Sequence, residues 1–255
     1  MTYDHGPHAG NAGDVWKHLV LTETADHLFQ DEMRIYVESH VGFPEYRLSQ
    51  GGEWEGGIGR CGSKLESLST FPYFQILSEA NPKDLEFYLG SARLVLELAR
   101  LRGQKIRAEF WDQSPLVARS WSRHDEKRCK VSLHQGDGFF GAMELAEERD
   151  FALLLIDPPY IDERDARAAE DLLSAAVKAG WVALCWYMTD QNEPPEPSVP
   201  FETFYLRFKD AGLEGGRWEG AAVIVAGGDG SLIGWLERRT KEFLAVLTGE
   251  TSQSF

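Results

Sequence analysis

Cysteine is scarce in this 255-residue chain: Cys61, Cys129 and Cys185 stand far apart, and no CxxC pair occurs. This disfavours a disulfide framework and a thiolate zinc site, and a reducing cytoplasm is the expected location. No apolar run reaches the ~18 residues that a bilayer-spanning helix needs. The stretch from Met1 to Asn11 is polar and rich in His and Gly, so it does not read as a secretory signal. There is no GxGxxG turn, which disfavours a dinucleotide site. Basic residues are outnumbered, with 26 Lys and Arg against 41 Asp and Glu, a formal net charge of −15. Such a balance argues against broad, non-specific binding to nucleic acid, which depends on phosphate contacts.

What remains is the composition of an ordinary globular protein, 43% hydrophobic and 26% charged, which excludes wholesale disorder. Basic residues concentrate in one stretch. Between Ser91 and Lys130, ten of them (Arg93, Arg100, Arg102, Lys105, Arg107, Arg119, Arg123, Lys127, Arg128, Lys130) face five acids. This is either a solvated helix face or a local patch for an anionic partner.

Periodicity predicts a helix over 12–31 and a short strand over 34–38, followed by a Gly-rich stretch to Gly62. From Ser63 to about Tyr88 short helical pieces are expected, broken by Pro72 and Pro82. Beyond Ser91 the rhythm is regular. Helices over 92–102, 115–124, 138–148 and 163–179 alternate with strands over 106–112, 130–134, 151–157 and 182–187. Phe151-Ala152-Leu153-Leu154-Leu155-Ile156 is apolar throughout, as a strand buried on both faces must be. Alternation of this kind predicts an α/β fold with a doubly wound, mostly parallel sheet. After a Pro-rich loop, a helix over 201–211, a hairpin ending in a strand over 221–225, and a helix over 231–247 complete the expected pattern. No internal repeat is present.

Ligands of such sheets bind beyond the carboxyl ends of the strands. The sharpest feature there is Asp157-Pro158-Pro159-Tyr160, at the end of the most apolar strand. Two prolines fix the backbone and remove two N–H donors. The Asp157 carboxylate and the Pro158 carbonyl are then able to accept both hydrogens of one exocyclic amine, with the Tyr160 ring as a stacking surface. Glu38-Ser39-His40-Val41-Gly42 after the first strand has the acid and small residues of a nucleotide-cofactor loop. Asp112 ends the second core strand, where an acid binds ribose hydroxyls. It lies far beyond the ~20 residues usual after a Gly-rich turn, which fits an insertion between the first strand and its helix. In Gly136-Asp137-Gly138-Phe139, Asp137 is either a ligand of an adenine amine or a helix N-cap. Tyr3, His5, His8, Asn11, Asp14, Lys17 and His18 form a dense polar cluster, but the histidine spacing matches no standard zinc site. Trp111, Trp121, Trp181 and Trp186 lie in periodic elements and read as core.

Together these motifs resemble one family. His8-Ala9-Gly10-Asn11-Ala12-Gly13-Asp14-Val15-Trp16-Lys17-His18 is similar to the opening of the RlmJ family of 23S ribosomal RNA adenine-N6 methyltransferases. Ser39-His40-x-Gly42, Tyr88-x-Gly90-Ser91, Asp137-Gly138-Phe139 and the Asp-Pro-Pro-Tyr run follow in the family's order. The resemblance implies a Rossmann-like methyltransferase domain over 1–44 and 90–255, with a helical insertion over 45–89. It implies S-adenosylmethionine (SAM) as cofactor, held by Tyr3, Lys17, His18, His40, Ser91, Asp112, Asp137 and Gly138. Catalytic roles fall to Asp157, Pro158 and Tyr160, with no metal. The implied substrate is 23S ribosomal RNA, acted on by a cytoplasmic monomer. This chain departs from the family in Glu38-Ser39, Asp112 and Pro44, and in Ala226-Gly227-Gly228-Asp229, where the family has Asn-Pro-Pro-Trp. Two other readings stay open: an amino methyltransferase for DNA adenine, protein glutamine or a small amine, and a non-catalytic binding protein on a decayed methyltransferase fold.

Overall fold

The computed structural model describes residues 6–30, 33–122, 129–148, 150–160, 163–190 and 194–249. In chain order, α1 (Ala12–Gln30) leads to β1 (Ile35–Glu38). Then come β2 (Glu45–Arg47), a 3-10 segment (Ile58–Lys64), α2 (Leu65–Leu68), α3 (Pro72–Ala80) and β3 (Phe87–Leu89). The regular alternation follows: α4 (Ser91–Leu101), β4 (Arg107–Asp112), α5 (Pro115–Trp121), β5 (Lys130–Gln135), α6 (Gly138–Ala146), β6 (Ala152–Ile156), α7 (Glu163–Lys178) and β7 (Val182–Met188). The chain closes with β8 (Phe201–Arg207), β9 (Gly220–Ala226) and α8 (Gly230–Thr248).

Seven strands form one sheet in the order β5-β4-β1-β6-β7-β9-β8. β1 pairs in parallel with both β4 and β6, while β9 runs antiparallel to β7 and β8. The winding direction reverses between β1 and β6, which opens the crevice where α/β sheets bind ligands. The apolar run of β6 is buried at all five positions, because helices cover both faces of the sheet. Among the described residues no helix is long and apolar enough to cross a membrane.

Three expectations need correction. Residues 201–211 do not form a helix: Phe201–Arg207 is the edge strand β8, followed by a 3-10 turn over Phe208–Ala211. Phe204 and Leu206 are buried while their neighbours are exposed, a period of two that belongs to a strand on one core face. The stretch over 45–89, expected to be helical, also holds strands that its sequence pattern did not reveal, the antiparallel pair β2 and β3. At three residues each they are too short for any periodicity to register. The helix expected over 115–124 ends at Trp121, where Ser122 is the C-cap. Where the family has Asn-Pro-Pro-Trp, Gly227 turns with φ +80° and Asp229 caps α8 by accepting from the Ser231 and Leu232 amides. A side chain at Gly227 would meet the Trp181 carbonyl oxygen at 2.1 Å, so this turn requires glycine.

Helix α1 is buried nearly all round, because it packs on β7 and β9 below and against α3, α4 and α8 at its sides. Its buried acid Glu23 accepts from Arg239 Nε and Nη2, both at 2.9 Å, and from Trp235 Nε1 at 3.1 Å.

Candidate functional site

Asp157 stands at the carboxyl end of β6 and meets α1 there. Lys17 Nζ lies 2.7 Å from Asp157 Oδ2 and 2.9 Å from Asp14 Oδ1. Asp14 and Lys17 share a face of α1 because they are three residues apart. Burial alone would lower the Lys17 pKa, but the two carboxylates hold the ammonium above its ordinary range. It therefore stays charged, with its Nζ 5.0 Å from the Trp186 ring centroid.

Pro158 is buried behind Asp157, and Tyr160 adopts φ 47°. That left-handed conformation costs an L residue roughly 1–2 kcal/mol. A specific contact holds it: the Tyr160 hydroxyl donates to the Trp186 carbonyl on β7 at 2.7 Å. The ring of Tyr160 packs at the edge of the apolar cluster that β6, β7 and α7 form on this face of the sheet.

The ends of β1, β4 and β5 converge beside this acid. Glu38, the last residue of β1, is fully buried and accepts from the hydroxyls of Tyr36 and Ser91, the latter at 2.9 Å. Asp112 closes β4 over the next loop, accepting from Gly42 N at 3.1 Å and Ser114 N at 2.7 Å. Asp137 caps α6 through Oδ1, which accepts from the Phe139 and Phe140 amides. Gly138 lies so close to β1 that a Cβ there would stand 1.6 Å from the Ser39 carbonyl oxygen. The His40 ring packs edge-on against Phe139, with centroids 4.8 Å apart. Burial pushes the His40 pKa down, so the ring is neutral near pH 7.

His40, Asp112, Asp137 and Gly138 thus lie around one crevice at the strand ends, with Ser91 just beneath it on Glu38. Lys17 stands on its β6 side, against the acid. His18 is buried beside Tyr88 of β3. Its Nδ1 lies 2.8 Å from the Tyr88 hydroxyl, and its ring stacks on Tyr88. Tyr3 and His5 lie outside the described residues. Tyr36 was not singled out from sequence, since it belongs to no motif. Asp14 appeared only within the polar cluster, although its i,i+3 spacing to Lys17 was a readable signal.

Burial pushes the Glu38 carboxyl up to about 8, against the hydrogen bonds it accepts from Tyr36 and Ser91. Between the ordinary glutamate value of 4.5 and that raised value, the folded chain keeps a proton that the unfolded chain has lost. Stability due to this group should therefore decline as pH rises through that window. Urea melts of wild type and Glu38→Gln should show the wild type losing ground relative to the variant between about pH 5 and about pH 8. Parallel curves would mean that Glu38 does not titrate there.

Four arginines of the basic stretch are neutralised by their own surroundings. Arg93 pairs with Glu97, Arg100 with Glu97 and Glu79, Arg102 with Asp26, and Arg107 with Glu109 and Glu148. These four arginines face acids of the same molecule, as a solvated, ion-paired surface does.

The chain is similar to proteins of known family. Over 191 residues the chain is 30% identical to the ribosomal RNA large subunit methyltransferase J of Haemophilus influenzae, covering 71% of this chain and 66% of that protein. It is 26% identical to its Escherichia coli counterpart over 198 residues, 73% of this chain and 70% of the relative. The alignments thus span about two thirds of each relative's length. A crystal structure of the protein LPL1258 from Legionella pneumophila superposes with a TM-score of 0.79 at 22% identity, covering 96% of both chains, and so shares the fold. Residues 31–193 match the family described as ribosomal RNA large subunit methyltransferase D, RlmJ. With that span covering more than half of its length, the chain belongs to the RlmJ family of ribosomal RNA large subunit methyltransferases.

Proposed function

We propose that this protein transfers a methyl group from SAM to the exocyclic N6 of an adenine in 23S ribosomal RNA. The observation that carries this reading is the Lys17–Asp157 pair at 2.7 Å, beside the carbonyl of buried Pro158 and the held ring of Tyr160. Lys17 occupies Oδ2 of Asp157 and leaves Oδ1 for an amine N–H.

The residues of the crevice fit SAM. Asp112 and Asp137 keep carboxylate lone pairs beyond the backbone amides they already accept from, which suits ribose hydroxyls and an adenine amine respectively. His40, neutral and packed on Phe139, offers a flat wall. Gly138 allows the chain to approach without a side chain in the way. In this reading Tyr3, Lys17, His18, His40, Ser91, Asp112, Asp137 and Gly138 make up the cofactor side, with Ser91 and His18 bracing it from below. When bound, SAM supplies an electrophilic methyl group on sulfur.

Asp157, Pro158 and Tyr160 form the acceptor side. The lone pair of an adenine N6 is delocalised into the ring. Hydrogen bonds from its N–H groups to Asp157 and the Pro158 carbonyl raise its availability and fix its direction. The Tyr160 ring stacks on the base, which has to leave its helix to reach the pocket. Asp157 is also placed to receive the proton that the nitrogen sheds after methylation. Most of the acceleration then comes from positioning. In this reading the protein works in the cytoplasm as a monomer.

Incubation with methyl-labelled SAM and deproteinised 23S RNA, followed by digestion and mass spectrometry of the nucleosides, tests the reading. Labelled N6-methyladenosine is the expected product. Label appearing only in DNA, protein or a small amine would replace the acceptor, and absence of both label and SAM binding would point to a non-catalytic fold.

A further inference from the structure

The segment over 45–89 holds the start of the helix that carries Lys17. Glu53 Oε1 lies 2.8 Å from His8 Nδ1, and Oε2 accepts from Asn11 Nδ2 at 3.2 Å. Ile58 N donates to the Gly10 carbonyl at 2.9 Å. Between them, Gly57 lies flat against the same turn. A Cβ there would stand 2.2 Å from Gly10 O, 2.4 Å from Asn11 C and 2.7 Å from Ala12 N. All three are backbone atoms, which cannot yield as a flexible side chain would.

The turn so gripped leads straight to the reacting pair. Asn11 Oδ1 caps α1 by accepting from Asp14 N at 2.9 Å, and Gly10 N donates to Asp14 Oδ2, also at 2.9 Å. The other oxygen of Asp14 holds Lys17, which holds Asp157. One continuous set of contacts therefore runs from Glu53 through Asn11, Asp14 and Lys17 to the acid of the Asp-Pro-Pro-Tyr run.

We propose that Glu53 and Gly57 are positioning residues. They seat the Gly10–Ala12 turn and thereby set where Lys17 meets Asp157. The catalytic consequence rests on the methyltransfer reading above, whereas the seating itself does not. Glu53 is half exposed, so its contribution is modest. Gly57 acts sterically and its effect is larger.

The test compares Glu53→Ala, Glu53→Gln and Gly57→Ala with Gly62→Ala, whose Cβ would meet nothing within 4 Å. The readouts are kcat and KM for RNA, together with hydrogen exchange at the Gly10 and Asp14 amides. Glu53→Ala is expected to lower kcat about two- to fivefold, the range of an exposed charged contact, with KM for RNA unchanged. Glu53→Gln should restore the rate, because an amide oxygen still accepts from Asn11. Gly57→Ala should lower kcat by more than about tenfold, since backbone this close has to move. Gly62→Ala should match wild type. Exchange at both amides should quicken in Glu53→Ala and Gly57→Ala.

Wild-type kcat in those two variants would overturn the proposal, as would a fall matched by an equal rise in KM, which would make Glu53 a direct RNA contact. If the wild type methylates no RNA, the functional reading fails by itself. Faster exchange in the two variants then upholds the seating, and unchanged exchange overturns it.

Discussion

Asp157→Asn should lower the rate of methyl transfer by about 10²- to 10³-fold, the loss typical when one preorganised group is removed from a reacting centre. The amide keeps the shape of the carboxylate but carries no charge and no base. An N–H directed at the substrate amine would repel it. Affinity for SAM should stay near wild type, because the crevice formed by His40, Asp112, Asp137 and Gly138 does not depend on Asp157. The fold should survive as well, since Lys17 still has Asp14 at 2.9 Å. Single-turnover transfer from labelled SAM, alongside a calorimetric titration with SAM, separates the two effects. Turnover close to wild type would remove Asp157 from the reaction. A parallel loss of SAM affinity would move it to the cofactor side.

Arg239→Ala should destabilise the protein by about 3–5 kcal/mol, the cost of leaving one partner of a buried pair alone. Glu23 is completely buried in the middle of α1, and Arg239 reaches it from α8 with two donors. The same guanidinium donates to the Thr70 carbonyl at 2.9 Å and lies 4.0 Å from the Phe71 ring centroid. It therefore joins α1, α8 and the segment ahead of α3 at one point. Burial already pushes the Glu23 pKa up, even with Arg239 beside it. Without Arg239 the acid would have to take a proton or draw in water. Urea denaturation at neutral pH measures the loss. The double variant Glu23→Leu, Arg239→Met should recover most of it, because an apolar pair of similar volume leaves no charge uncompensated. A loss below about 1 kcal/mol for Arg239→Ala would show that solvent reaches Glu23 and that the pair behaves as an exposed one.

These two sites differ in how far they could be read from the chain. The Asp-Pro-Pro-Tyr run announced itself because its residue types are uncommon together and follow an uninterrupted apolar strand. The Glu23–Arg239 pair could not be read, since its members stand 216 residues apart and neither belongs to a motif. Lys17 was legible as a functional residue of the opening motif, but its partner was not. The contact with Asp157 exists only because α1 packs across the sheet and presents its first turns to the end of β6. The basic stretch was visible as an excess of charge. That Arg100, Arg102 and Arg107 meet acids distant in the chain depends on where Glu79, Asp26 and Glu148 fall in space.

The sequence by itself determined the alternating core, the positions of the acids at the strand ends and the resemblance that named the family. Each of these is local, carried by side-chain period, turn residues or a contiguous motif. Only the tertiary structure decided that Phe201–Arg207 is an edge strand. An aromatic, alternating segment becomes a strand when it has β9 to pair with and a core for Phe204 and Leu206 to cover. It also decided that Gly57 lies against the Gly10–Ala12 turn and Gly138 against Ser39, and that Lys17 meets Asp157. Those contacts join segments distant in the chain, and their energy comes from burial and close approach, which no local pattern records.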